Sequence, residues 1–224
     1  MTTTPVTTAA AADPATTRIE SIMLDVEDPN SAEAFYATAF GLGTRLRVRA
    51  GDAPSAGFRG YLLSLVVAQP GTVDLLVGAA VDGGATVLKP ATKSFWGYGG
   101  VLQAPDGAIW KLASSAKKDT GPVSRQVDDV VLLLGVDDVK ATKRFYTDRG
   151  LKVAKSFGSK YVEFDTAPVK LALYPRRAAA KDAGVPADGS GSHRLTILGH
   201  GGGFADPDGF HWEAATLPTT ADPA

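Results

Sequence analysis

Pro105-Asp106-Gly107-Ala108-Ile109-Trp110 returns later in the chain as Pro207-Asp208-Gly209-Phe210-His211-Trp212. A second phrase repeats in the same order: Phe35-Tyr36 with Gly41-Leu42 is echoed by Phe145-Tyr146 with Gly150-Leu151. The two halves are therefore diverged copies with unequal loops. Each copy is long enough to be a compact unit, unlike the roughly 20–50-residue period of solenoid repeats. Around the first Pro-Asp-Gly, residues 99–103 and 109–113 read as the arms of a hairpin, with the turn chemistry between them.

Working outward, residues 19–26 alternate, with Ile22, Leu24 and Val26 on one face and Ser21, Met23 and Asp25 on the other, as a half-buried strand does. Asp28-Pro29 opens a helix through Phe40, and Gly41 and Gly43 stop it. Residues 44–48 and 61–68 read as strands, 71–81 as a helix, and 85–88 as a short strand. In the second half, a strand over 127–136 leads to Asp137-Asp138 and a helix running to Arg149. Strands follow over 151–156, 160–165 and 170–174, then a short basic helix or loop over 176–183. Residues 193–199 and 209–215 close the pattern. Strand, helix and then several strands, repeated, predict an α+β protein with helices on one face of curved, mostly antiparallel sheets and a ligand cavity on the other.

The chain has 224 residues, 44% hydrophobic and 21% charged, the composition of a globular protein. A net charge of −1, from 23 basic and 24 acidic residues, steers it towards neither nucleic acid nor anionic membrane. No cysteine is present, so disulfides, thiolate metal sites and a cysteine nucleophile are excluded. This fits a cytoplasmic protein, and no apolar run approaches the roughly 20 residues of a membrane span. Residues 1–17 and 217–224, rich in Ala, Thr and Pro, read as disordered tails. Residues 116–125, polar and broken by Gly121-Pro122, read as a linker between units at 18–115 and 126–216.

With these phrases the sequence resembles the vicinal oxygen chelate superfamily of glyoxalase I, bleomycin-resistance proteins and extradiol dioxygenases. The residues that carry the resemblance are Leu24-Asp25-Val26-Glu27-Asp28-Pro29 running into Phe35-Tyr36, Ala104-Pro105-Asp106-Gly107 running into Ile109-Trp110, Val136-Asp137-Asp138 running into Phe145-Tyr146, and Asp206-Pro207-Asp208-Gly209 running into His211-Trp212-Glu213. The resemblance implies tandem βαβββ modules forming U-shaped sheets around a cavity. Both halves look trimmed: strands are missing after Val48, and no helix follows Leu198. The resemblance further implies divalent-metal enzymes with His or Gln on the first strand, Glu on the last, and His or Glu on inner strands.

Those slots are poorly filled. In the first half they fall on Ser21 and on Lys111, whose ammonium has no lone pair for a metal. Lys111, Ser21 and Asp25 share a face by strand alternation, and a Lys111–Asp25 pair is expected to plug the site or anchor an anionic ligand. In the second half Val131 takes the first-strand slot, while Asp129, His193, His211 and Glu213 are the candidates for an irregular site for Fe, Mn, Zn, Ni or Co. Phe95-Trp96-Gly97-Tyr98 places three rings beside glycines, suited to stacking on a flat ligand. Trp110 and Trp212 occur in both copies on the opposite face and read as core. The preferred reading is a metal-independent protein binding a small, aromatic or natural-product-like molecule through Ser21, Asp25, Phe95, Trp96, Tyr98 and Lys111, as a monomer or homodimer. The alternative is a metal-dependent lyase, isomerase or dioxygenase using the second-half His/Glu cluster.

Overall fold

The computed structural model describes residues 18–200 and 202–215; both terminal tails lie outside the described residues. In chain order the first copy comprises β1 (Ile19–Val26), α1 (Pro29–Ala39), β2 (Leu46–Ala50), β3 (Ser55–Gly57), β4 (Tyr61–Val66), α2 (Pro70–Asp82), β5 (Thr86–Ser94), β6 (Gly97–Gln103) and β7 (Ile109–Ser114). The second comprises β8 (Asp129–Val136), α3 (Val139–Asp148), β9 (Val153–Ser156), β10 (Val162–Phe164), β11 (Val169–Pro175), α4 (Arg176–Ala183), β12 (Gly189–Gly191), β13 (Leu195–Gly199), β14 (Phe204–Ala205) and β15 (His211–Ala214). Asp28 and Asp138 cap α1 and α3, each carboxylate accepting two backbone N–H bonds of the first turn.

Neither copy closes a sheet alone. An eight-stranded sheet runs β5-β6-β7-β4-β8-β11-β10-β9, and a five-stranded sheet runs β14-β15-β13-β1-β2. The larger sheet contains two complete βαβββ modules. In each, the first strand runs parallel to the last, β4 with β7 and β8 with β11, and the two first strands join antiparallel. The smaller sheet follows the same rule in trimmed form. There β1 runs parallel to β2, β13 runs parallel to β15, and β1 and β13 join antiparallel. Only α1 and a single 3-10 turn (Gly43–Arg45) separate β1 from β2, and among the described residues no helix lies between β13 and β15. The complete groove therefore combines strands from both sequence copies.

One continuous apolar core joins the two sheets and α1–α3, including Ile22, Leu24, Leu63, Leu65, Trp110, Leu132, Leu171, Ile197 and Trp212. Trp110 and Trp212 are core residues, as the sequence reading expects. The repeated phrases build a clasp in this core. The Tyr36 hydroxyl donates to Asp106 Oδ2 at 2.7 Å and accepts from Trp110 Nε1 at 3.4 Å. Tyr146 likewise donates to Asp206 Oδ2 at 2.7 Å and accepts from Trp212 Nε1 at 3.2 Å. The acceptors are not equivalent in sequence, because Asp106 follows its proline and Asp206 precedes it. Asp208, the true counterpart of Asp106, instead accepts from Thr142 Oγ1 and the Asp137 amide, both at 2.7 Å. Gly107 and Gly209 both sit at φ 87°, the left-handed region these turns require.

Burial, with the adjacent Asp206 carboxylate, pushes the Tyr146 hydroxyl well above its ordinary pKa of 10, and burial raises Asp206 as well. Tyr36 is raised by the same causes beside Asp106, and burial lifts Tyr61 to about 12. Tyr146→Phe leaves the buried Asp206 oxygen and the Trp212 N–H without partners, and should cost about 1–3 kcal/mol. Tyr36→Phe should cost less, because Asp106 is only half-buried. Urea denaturation with an unchanged m-value checks both, and equal costs would refute this ranking. All six tyrosines have raised pKa values. The native state thus holds phenol protons that the unfolded chain loses near pH 10, so this contribution to stability is present below pH 10 and is lost as pH rises further. Absorbance at 295 nm should show tyrosine ionisation coinciding with alkaline unfolding.

Candidate functional site

The face of the eight-stranded sheet turned away from the core is a groove. Its floor crosses the central strands as one row: Lys111 on β7 opposes Ser64 on β4, Ser64 opposes Val131 on β8, and Val131 opposes Lys170 on β11. The pseudo-twofold relating the two modules makes Lys111 and Lys170 equivalent, each on its module's last strand. Leu62 and Leu133 supply apolar floor beside them.

Each lysine holds a carboxylate. Lys111 Nζ lies 2.7 Å from Asp182 Oδ2, and Lys170 Nζ lies 2.7 Å from Asp129 Oδ2. Tyr161 donates to Glu163 Oε2 at 2.6 Å, and Lys155 approaches the other oxygen of that carboxylate at 3.6 Å. Tyr161 packs edge-on against Tyr174, with centroids 5.2 Å apart, forming an aromatic wall. Burial, then the bond to Glu163, raises the Tyr161 pKa; burial, then nearby Asp182, raises that of Tyr174. These hydroxyls are neutral donors and acceptors at physiological pH.

Asp182 comes from α4, which lies across one end of the groove. Its Ala179, Ala180 and Ala183 pack on Leu62, Leu133 and Ala172. Gly135 makes this approach possible, since a Cβ there would stand 3.1 Å from Ala179 Cβ and 3.0 Å from the Gly60 carbonyl oxygen. The far end of α4 is anchored by Lys89, whose Nζ donates to the carbonyls of Lys181 and Asp182 at 2.6 and 2.8 Å. Two cavities remain along the groove. One, of about 320 Å³, reaches from Lys111 to Tyr161. The other, of about 360 Å³, lies over β5, β6 and β7 with Trp96 at its mouth.

The structure separates the residues that the sequence groups together. Lys111 is in the groove, paired with Asp182. Ser21 and Asp25 are on β1 in the other sheet, so the expected Lys111–Asp25 pair does not form. Asp25 instead takes Arg49, with Nε 2.5 Å from Oδ1. Arg49 also reaches Glu213 at 3.1 Å and Thr196 Oγ1 at 2.9 Å. Ser21 is buried with no hydrogen-bond partner for its hydroxyl among the described residues. Phe95 and Trp96 cap the β5–β6 hairpin, 80% and 83% exposed, with rings 5.0 Å apart. The Tyr98 side chain points to the helix side, where its hydroxyl donates to Asp74 at 2.7 Å, because strand alternation turns it away from Lys111.

The alternative metal cluster is likewise dispersed. Asp129 is bound by Lys170 in the groove, whereas His211 and Glu213 lie on β15 in the other sheet. His193 sits between the carbonyls of Arg59 and Asp208, at 2.6 and 3.1 Å. Among the described residues, no three His, Asp or Glu side chains converge as metal ligands. The donor set does not fit a divalent metal in either sheet: ammonium groups stand on the last strands of the groove, and in the smaller sheet the Arg49 guanidinium bridges the two carboxylates.

Lys170, Asp182, Glu163, Tyr161 and Arg49 escape the sequence reading. Lys170 was findable as the equivalent of Lys111 had the central pair of modules been paired with each other. Asp182 carries no local signal. Because the lysine pairs are partly exposed, Lys111→Met and Lys170→Met should each shift unfolding free energy by less than about 1 kcal/mol. A loss of several kcal/mol in a denaturant titration would make these lysines structural.

The sequence matches no family model and no curated protein. Solved structures do match. Glyoxalase I from Zea mays superposes with a TM-score of 0.58 at 14% identity, covering 87% of this chain and 90% of that one. A presumed dioxygenase from Bacillus subtilis superposes with a TM-score of 0.56 at 13% identity, covering 91% and 86%. At these identities the likeness is one of fold, which this chain shares with both proteins.

Proposed function

We propose that this chain is a metal-independent small-molecule-binding protein whose aromatic ligand lies in the groove of the eight-stranded sheet. The observation that carries the reading is the pair Lys111 and Lys170, at equivalent places on the last strands of both complete modules. The sequence resemblance implies a metal ligand on such a strand; an ammonium brings its own positive charge and no lone pair. A ligand oxygen can therefore be met by a side-chain cation instead of a metal ion. The Tyr161–Tyr174 wall and the Leu62, Val131 and Leu133 floor favour an apolar, planar body, and Ser64 with the two lysines supplies the few convergent polar groups usual in such sites.

Two measurements test this reading. Trp110 and Trp212 are buried, so solvent-exposed tryptophan emission belongs to Trp96 at the groove mouth. Titration with a panel of aromatic compounds should quench or blue-shift that emission, and Trp96→Phe should abolish the response while calorimetric binding persists. A flat calorimetric and fluorescence response across the panel counts against the proposal. Elemental analysis after incubation with Fe, Mn, Zn, Ni and Co salts should find no stoichiometric metal. One equivalent retained by the wild type and lost in Glu213→Gln would reinstate a metal centre.

A further inference from the structure

The two groove cavities are not independent. Both are bordered by the same three residues, Lys111, Ala113 and Asp182, so they form one trough crossing the strands, pinched where Asp182 reaches down from α4 to Lys111. The arm towards β10 ends on Tyr161 and Tyr174, and the arm towards β5 ends at Trp96. The floor of the Trp96 arm is low, because Gly99 opposes Ala113 and only Val101 stands opposite Lys111 on β6. Each arm, at about 320 and 360 Å³, is near the lower end of the roughly 300–1,000 Å³ of ligand sites, so each suits one or two rings.

We infer that the ligand is an elongated anion with an aromatic group at each end and a carboxylate-like group between them. This inference rests on the groove being the ligand site. Occupying both arms carries the ligand through the pinch, where it must separate Asp182 from Lys111. The Lys111 ammonium is partly exposed in the empty trough, but a ligand lying over it excludes water, and an ammonium desolvated in this way is disfavoured unless an anion replaces its carboxylate. The ligand's own anionic group makes that replacement, hydrogen-bonding to Lys111 Nζ, while Asp182, at the solvent-facing end of α4, turns outward. Two groups hold the pinch in place without ligand: the carboxylate on Lys111, and Lys89 on the last carbonyls of α4. A neutral two-ring compound has nothing to offer Lys111 and leaves the ion pair intact, so it is confined to one arm.

Isothermal titration of the full chain with three probes decides the matter. Dibenzylacetate carries two rings about a central carboxylate, 3-phenylpropanoate carries one ring and the same group, and dibenzylacetamide carries two rings without the charge. Dibenzylacetate should bind at least about tenfold more tightly than either of the others. Lys111→Met should remove the preference for carboxylate over amide, Lys111→Arg should restore most of it, and Arg47→Met, on the outer sheet, should leave it unchanged. If 3-phenylpropanoate binds as well as dibenzylacetate, or if the carboxylate preference survives Lys111→Met, the two-armed anion is wrong while the groove remains a ligand site. If none of the three binds, the two-armed anion is wrong, and the groove reading falls with it only where the wider aromatic panel is silent as well.

Discussion

The structure depends on a tyrosine that reaches from a helix to a turn of the other sheet. Tyr36 stands on α1, which connects strands of the five-stranded sheet, and bonds the β6–β7 turn of the eight-stranded one. Tyr146 does the reverse, from α3 between strands of the larger sheet to the β14–β15 turn of the smaller. In a core otherwise built of aliphatic and aromatic side chains, these hydroxyl–carboxylate bonds and the tryptophan N–H groups behind them must be satisfied together or desolvated at a cost. They therefore fix which helix lies over which turn. The non-directional packing of Leu, Ile and Val around them could tolerate several arrangements, and the polar clasps select one.

That arrangement decides where the groove falls. With the outer βα units held against the turns of the inner ones, β4 and β8 are free to pair, and two complete modules close a trough between them. The outer pair, β1 and β13, forms a sheet with neither walls nor the full set of strands. The asymmetry between the sheets lies in the short connections after Val48 and after Leu198, and among the described residues it leaves only the larger sheet with a trough walled by two complete modules.

Both sheets place a side-chain cation among carboxylates, but with different consequences. In the smaller sheet Arg49 ties three elements together through Asp25, Thr196 and Glu213, a mostly surface network of small energetic weight. In the groove the ion pairs are separate, each a single lysine with a single carboxylate, and each can open without disturbing the core. Positive charge on a movable ammonium, opposed by an aspartate on a short helix, is an arrangement that a ligand can rearrange. Guanidinium locked by three partners is not.

The sequence by itself determined the α+β class, the tandem copies, the capped helices and the burial of Trp110 and Trp212, because each of these is written in local periodicity, turn chemistry or an exact repeat. It also put Lys111 on the face of its strand opposite the buried Trp110, since strand alternation is a local property. Only the tertiary structure decided which strands share a sheet. Reading each copy as a self-contained unit put Asp25 opposite Lys111 and gathered Asp129 with Glu213, whereas β1 and β15 lie in one sheet and β7 and β8 in the other. The partner of Lys111 came from Asp182, on a short helix with no motif of its own, which Gly135 and a row of alanines admit into the groove. Strand pairing between distant segments depends on the summed complementarity of whole faces and on buried polar bonds such as Tyr146–Asp206, and no short window of sequence contains either.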